Sequence, residues 1–176
     1  MAGIDPSRSF FPLSIAVLTI SDTRTLDNDS SGALLAERLV GAGHRLLVRA
    51  ILRDDRAAIE ARLRELLSQE ELHVILATGG TGVTGRDVTP EAFHAVYDKE
   101  IPGFGELFRM LSYPHIGTST IQSRATAGVA QGKYLFALPG SPGACRDAWE
   151  WILQHQLDNR YRPCNFAELF TRLSEV

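Results

Sequence analysis

Apolar residues along this chain come in short blocks separated by polar, glycine-rich or proline-rich segments. Leu13 to Ile20 is an apolar run with β-branched residues, closed by the polar stretch Ser21 to Ser31, and it reads as a buried strand. Gly32 to Val40 reads as a helix that stops at Gly41 and Gly43. His44 to Leu52 is the second strand. In the helix Arg56 to Leu67, the residues Ile59, Leu63, Leu66 and Leu67 share one face, and Glu60 and Arg64 lie four apart on the other. Leu72 to Thr78 is the third strand, followed by a loop from Gly79 to Thr89. Pro90 to Asp98 reads as a short helix with proline at its first position. Phe104, Leu107, Phe108 and Leu111 keep helical spacing after Pro102-Gly103, and serve either the core or a subunit interface. Lys133 to Leu138 is the last clear strand. Pro139-Gly140-Ser141-Pro142 turns it into a final helix with Cys145, Ala148, Trp149 and Ile152 on one face, and a weakly patterned tail runs from Asn159 to Val176.

Strands that alternate with helices predict a three-layer α/β/α sandwich with a mainly parallel sheet. Residues 1–12 are expected to be a flexible lead-in, and residues 13–176 one domain that includes the tail. Ligands of such folds sit beyond the carboxyl ends of the strands. The loops that begin at Ser21, Gly79 and Pro139 should converge there, with Asp54 close by.

Composition narrows the function. With 176 residues, 44% of them apolar, the chain has enough material for one core and too little for two. A net charge of -3 argues against a nucleic-acid binder. Cys145 and Cys164 make no disulfide framework, the five histidines show no i, i+4 pair suited to zinc, and no stretch is long enough to span a membrane. The expected setting is the cytoplasm.

The strongest chemical signal is Thr78-Gly79-Gly80-Thr81-Gly82, where glycines after a buried strand let backbone N–H groups turn inward around an anion. Gly80-Thr81-Gly82-Val83-Thr84-Gly85 also fits the dinucleotide pattern G-x-G-x-x-G. However, Arg86 to Thr89 intervene before a helix that starts at Pro90, and no acidic residue follows at the required strand end. A Walker-type loop fails for want of a Gly-Lys-Ser/Thr. Asp87 is either a turn carboxylate or a magnesium ligand, and Thr89 can cap the helix after it. Asp54 and Asp55 precede a helix, so either can be its N-cap. Two carboxylates aimed at an anion-binding loop would repel a phosphate unless a cation joined them. Ser141 reads as an N-cap that can also hold a ligand. Ser123-Arg124 suits either a phosphate or a surface ion pair.

Several of these segments occur in one recognisable order. Ser21-Asp22-Thr23, the glycine loop, Arg86-Asp87-Val88-Thr89-Pro90-Glu91-Ala92, Ile101-Pro102-Gly103-Phe104-Gly105-Glu106, Ser123-Arg124 and Pro139-Gly140-Ser141-Pro142 resemble the MoaB/MogA family of molybdenum cofactor proteins from about Ile15 to Phe166. The tail Arg162-Pro163-Cys164-Asn165-Phe166 resembles the MoaB branch. The resemblance implies a molybdopterin-binding-type fold. It also implies adenylylation of the molybdopterin phosphate with ATP and Mg2+, releasing pyrophosphate. In the residues it carries over, Asp54 and Asp87 serve catalysis and the metal. Ser21, Asp22, Thr78, Gly79, Gly80, Thr81, Gly82, Ser123, Arg124, Gly140 and Ser141 serve phosphate, pterin and nucleotide. It further implies a homotrimer or hexamer, and other molybdenum cofactor enzymes as partners. The alternative is a non-catalytic protein that stores or delivers the pterin.

Overall fold

The computed structural model describes residues 2–173 and 175. Its elements run β1 (Gly3–Ile4), β2 (Ser14–Ile20), α1 (Ser30–Gly41), β3 (Arg45–Leu52), α2 (Arg56–Leu67), β4 (Val74–Thr78), α3 (Thr89–His94), β5 (Lys99–Glu100) and α4 (Pro102–Ile116). A 3-10 turn (Gly117–Gln122), β6 (Thr126–Ala130), β7 (Lys133–Leu138) and α5 (Pro142–Ala148) follow. A π-helical turn (Trp149–Leu153), α6 (Gln154–Gln156), β8 (Tyr161–Arg162) and a last 3-10 turn (Ala167–Arg172) close the chain. Six strands form one mixed sheet in the order β3-β2-β4-β7-β6-β5. β3, β2, β4 and β7 are mutually parallel, while β6 and β5 are antiparallel to their neighbours.

Helices cover both faces, which is why β2 is buried at every position. Side chains alternate across the strand. Ile15 and Val17 point to a core shared with Leu35 and Leu39 of α1, Phe104 and Phe108 of α4, and Cys145 and Ala148 of α5. Ala16, Leu18 and Ile20 point the other way, toward Ile59, Leu63 and Leu66 of α2 and Phe93 of α3. The three central strands end level. Thr19 pairs with Thr78, and Thr78 with Leu138, so the loops after β2, β4 and β7 leave the sheet side by side.

Several boundaries differ from expectation for identifiable reasons. α1 starts at Ser30 instead of Gly32, because the Asp29 carboxylate caps it by accepting from the Gly32 amide. α3 is Thr89–His94, shorter than Pro90 to Asp98, since the chain turns to hydrogen-bond the Asp98 amide to the Val129 carbonyl. Thr89 is inside that helix and does not cap it; its hydroxyl donates to the Gly79 carbonyl. β6 was not anticipated. It forms a hairpin with β7 through Gln131-Gly132, both at positive φ (47° and 72°), the geometry of a tight two-residue turn. In the N-terminal segment, Gly3–Ile4 pairs antiparallel with Tyr161–Arg162, the Arg160 guanidinium lies over the Phe10 ring, and Arg8 pairs with Glu168. Among the described residues no helix is long and apolar enough to cross a membrane.

His44 sits at the opposite end of the sheet, 5% exposed, between the rings of Phe10 and Trp149. Its Nδ1 accepts from the Leu13 amide, so the neutral imidazole is the form the fold uses. Burial pushes its pKa down to about 4, against the opposing pull of Asp158. The unfolded chain takes up that proton near pH 6.5 and the folded chain does not. The stability this group contributes is therefore complete above pH 6.5 and is lost as pH falls toward 4, by roughly 3 kcal/mol at about 1.4 kcal/mol per unit. Urea denaturation of wild type and His44→Gln between pH 7 and 4.5 should give a shallower acid loss in the variant. Parallel pH profiles would contradict this account.

Candidate functional site

The site begins with a packing constraint. Gly79 has φ +103°, and a Cβ there would overlap the Ile20 carbonyl oxygen. Gly140 lies against it from the other side, where an added Cβ would stand 3.2 Å from the Gly79 Cα. Gly80 has φ +62°, and a Cβ there would overlap the Thr89 hydroxyl and stand 3.0 Å from the Asp54 carboxylate. The three loops therefore touch backbone to backbone, an approach only glycine allows. Hydroxyls lock the contact. Thr78 donates to the Pro139 carbonyl, Ser31 to that of Gly140 and Thr89 to that of Gly79, each at 2.8 Å.

This arrangement decides which amides remain for a ligand. The Gly79 amide donates to the Leu138 carbonyl at 3.0 Å, and the Gly82 amide lies close enough to the Asp87 carboxylate to help lower its pKa. The amides of Gly80 and Thr81 have no acceptor among the described residues. Two adjoining N–H groups beside a glycine at positive φ form a small anion-binding concavity.

The loop divides two clefts that share Gly80, Asp87 and Gly140. The larger, about 540 Å³, is walled by Phe108 and Ile116 and also meets Thr81, Gly82, Ser123 and Ser141. The smaller, about 300 Å³, is polar and is lined by Ser21, Arg24, Asp29, Asp54, Thr78 and Arg86 among others.

Carboxylates dominate the smaller cleft. Asp55 caps α2 by accepting from the Ala58 amide, so Asp54 is not the cap and is free to face the cleft. Burial raises the pKa of Asp54, and the neighbouring charges of Asp22 and Asp87 add to the effect. Asp87 is held below the usual carboxylate range, chiefly by the Thr84 hydroxyl and also by the amides of Thr84 and Gly82. Asp22 pairs with Arg86, which lowers its pKa, and it accepts from the Asp54 amide at 3.3 Å. Among the described residues there is no cluster of three or more metal-ligating side chains. A pair is what magnesium needs when phosphates and waters complete its shell. Glycines at 80 and 82 leave space against the two carboxylates: a Cβ at Gly82 would lie 2.8 Å from Asp87. Burial and the nearby charges of Asp22 and Asp87 both disfavour the charged form of Asp54, and a cation would offset both. The residues present fit such an ion.

The remaining expected residues take definite places. Ser21 accepts from the amides of Thr23 and Arg24 at the rim of the smaller cleft. Ser141 caps α5 by accepting from the Ala144 amide, and lines the larger cleft. Ser123 also lines the larger cleft. Arg124 turns its guanidinium into the protein: Nε donates to the Gly82 carbonyl at 2.6 Å, Nη2 to that of Asp87 at 2.7 Å, and Nη1 pairs with Glu91. It braces both ends of the loop that presents Asp87. Sequence reasoning passed over Asp29, which is 3% exposed, caps α1, accepts from Thr19 and pairs with Arg49. Its signal was an aspartate just before a helix. It also passed over Asp147 in the larger cleft, which stands near the end of α5 without a motif.

Known proteins resemble this chain over most of its length. The model of a probable molybdopterin binding domain matches residues 16–159. Molybdenum cofactor biosynthesis protein B of Escherichia coli (strain K12) is 49% identical over 160 residues, which is 91% of this chain and 94% of the relative. The Bacillus cereus protein of the same name is 47% identical over 142 residues, 80% of this chain and 84% of its own. A crystal structure of molybdenum cofactor biosynthesis protein B superposes with a TM-score of 0.86 at 40% identity, covering 96% of this chain and all of that one. The tungsten cofactor synthesizing protein MoaB from Pyrococcus furiosus gives a TM-score of 0.74 at 34% identity, over 82% and 92% of the two chains. Matching motifs, a shared fold and identity across nearly the whole length place this chain in the MoaB/MogA family of molybdenum cofactor biosynthesis proteins, on its MoaB branch.

Proposed function

We propose that this protein acts in molybdenum cofactor biosynthesis by binding molybdopterin and transferring the adenylyl group of Mg-ATP to its phosphate. The observation that carries the proposal is the position of the two partnerless amides of Gly80 and Thr81. Gly80 lines both the apolar-walled cleft and the carboxylate-lined one, and Thr81 follows it into the first. A flat ring system suits the walls of Phe108 and Ile116; a triphosphate with its cation suits Asp54, Asp87, Arg24 and Arg86.

The reaction follows from this placement. A phosphate oxygen of molybdopterin attacks the α-phosphorus of ATP, the bond from that phosphorus to the oxygen bridging to the β-phosphate breaks, and pyrophosphate leaves. Such a transfer depends on alignment and charge neutralisation more than on covalent help from the protein. The Gly80 and Thr81 amides hold phosphate oxygens at the meeting point, and Arg124 fixes the loop that presents Asp87. Asp54 and Asp87 would hold Mg2+, which when bound supplies positive charge against the leaving pyrophosphate. A non-catalytic pterin carrier would bind the same ligand and release no pyrophosphate.

Asp54→Asn and Asp87→Asn should each lower pyrophosphate release on the order of 100-fold or more, with molybdopterin affinity nearly unchanged. Asp55→Ala is the control: loss of the cap should cost about 1 kcal/mol of stability and leave turnover alone. Unchanged turnover in both Asn variants would remove the metal role.

Gly80→Ala forces a side chain onto Thr89 and into a left-handed backbone. Calorimetric titration should show ATP affinity down by about tenfold or more in a folded protein. Equal affinities would take the loop out of the site.

Met110, Tyr113 and Ile116 on α4, with Ile121 after it, are 54–80% exposed and form an apolar surface. We read this as the contact of a homotrimer or of a hexamer built from trimers. Sedimentation should show that assembly at micromolar concentration and its loss in Met110→Glu. A wild-type monomer would contradict it.

A further inference from the structure

The larger cleft contains two charged side chains, Asp87 beside the glycine loop and Asp147 on α5. The start of α5 sets where Asp147 points. Ser141 caps the helix, Pro142 opens it, and Cys145 and Ala148 turn into the core. Gly143, Ala144 and Asp147 are then left on the cleft side, spaced as one helical face.

Asp147 differs from the carboxylates around it. Asp22 is paired with Arg86, Asp29 with Arg49, Glu91 with Arg124, and Asp87 accepts from Thr84. Asp147 is half-buried, yet among the described residues its carboxylate takes no hydrogen bond and no ion pair. Burial raises its pKa, with Glu150 acting the same way and His115 and Arg146 opposing. A carboxylate that lines a cleft without a protein partner is open to donors from a ligand. Neighbouring hydroxyls do not supply them. Ser112 donates to the Phe108 carbonyl and Thr120 to that of Arg109.

We propose that Asp147 is the specificity-determining residue for the pterin ring, its two oxygens accepting from N3–H and the 2-amino group of the 2-amino-4-oxopyrimidine edge. This rests on the reading above that the pterin occupies the larger cleft. Those two N–H groups are parallel and coplanar, the pattern a carboxylate accepts in bidentate fashion. The length is also right. Asp147 lies six positions beyond Ser141 at the loop end, a rise of about 9 Å along the helix, the scale of a fused three-ring pterin. Gly143 leaves the approach open, and Phe108 and Ile116 give the ring apolar walls.

The test compares pterin with lumazine, which has a 2-oxo group in place of the 2-amino group, by fluorescence titration of the full-length protein. ATP binding serves as the control for folding and for the other cleft. Wild type should prefer pterin by about tenfold or more, because lumazine leaves the carboxylate facing an acceptor. Asp147→Asn offers one donor and one acceptor, so it should abolish or invert that preference, weaken molybdopterin binding by about tenfold and leave ATP affinity unchanged. A wild type that binds pterin and lumazine equally, or an Asn variant that keeps the wild-type preference, would overturn the assignment of Asp147 while pterin binding stood. A wild type that binds neither pterin nor molybdopterin would overturn both.

Discussion

The site depends on the approach of three loop backbones at Gly79. The Ile20 carbonyl lies on one side of it and Gly140 on the other, with no room for a side chain. Parallel pairing in register makes that approach possible by ending β2, β4 and β7 level, and the hydroxyls of Thr78, Ser31 and Thr89 hold it. The Gly79 amide is committed to the Leu138 carbonyl and the Gly82 amide faces Asp87, while those of Gly80 and Thr81 have no backbone acceptor among the described residues. A core packed on both faces of the sheet supplies the rigidity such a concavity needs, since a loop free to relax would turn those amides toward water.

Charge is distributed around the loop with the same selectivity. Arg86, Arg49 and Arg124 neutralise Asp22, Asp29 and Glu91, and Arg124 also holds the Asp87 carbonyl. Asp54 and Asp147, one in each cleft, take part in no ion pair among the described residues. Both have raised pKa values because burial disfavours their charged forms. Under the proposed function a cation would partner the first and ring N–H groups of the pterin the second.

The order of elements, the layered fold and the glycine loop were legible because they rest on local signals: long apolar runs, helical spacing and glycines placed after a strand. β6 was not. Thr126-Ala127-Gly128-Val129-Ala130 is short and small-sided because the Tyr97 ring lies against Gly128, so its sequence carries little alternation. The choice of cap between Asp54 and Asp55 needed the backbone, since adjacent aspartates look alike and only Asp55 turns its carboxylate to the Ala58 amide. Thr89 was misjudged for a similar reason: its hydroxyl serves Gly79, ten residues away, in preference to its own helix. Asp147 had no motif to mark it, and its environment is made by segments distant in the sequence.

In the proposed reaction the two clefts bring a pterin phosphate to the α-phosphorus of a nucleotide at Gly80 and Thr81. The most direct measurement follows that phosphorus with ATP labelled at the α position, incubated with magnesium, molybdopterin and the protein. The account predicts label in the pterin product, with one pyrophosphate released for each label transferred. Label that remains in ATP while molybdopterin is bound, or that appears only as free AMP, would contradict it.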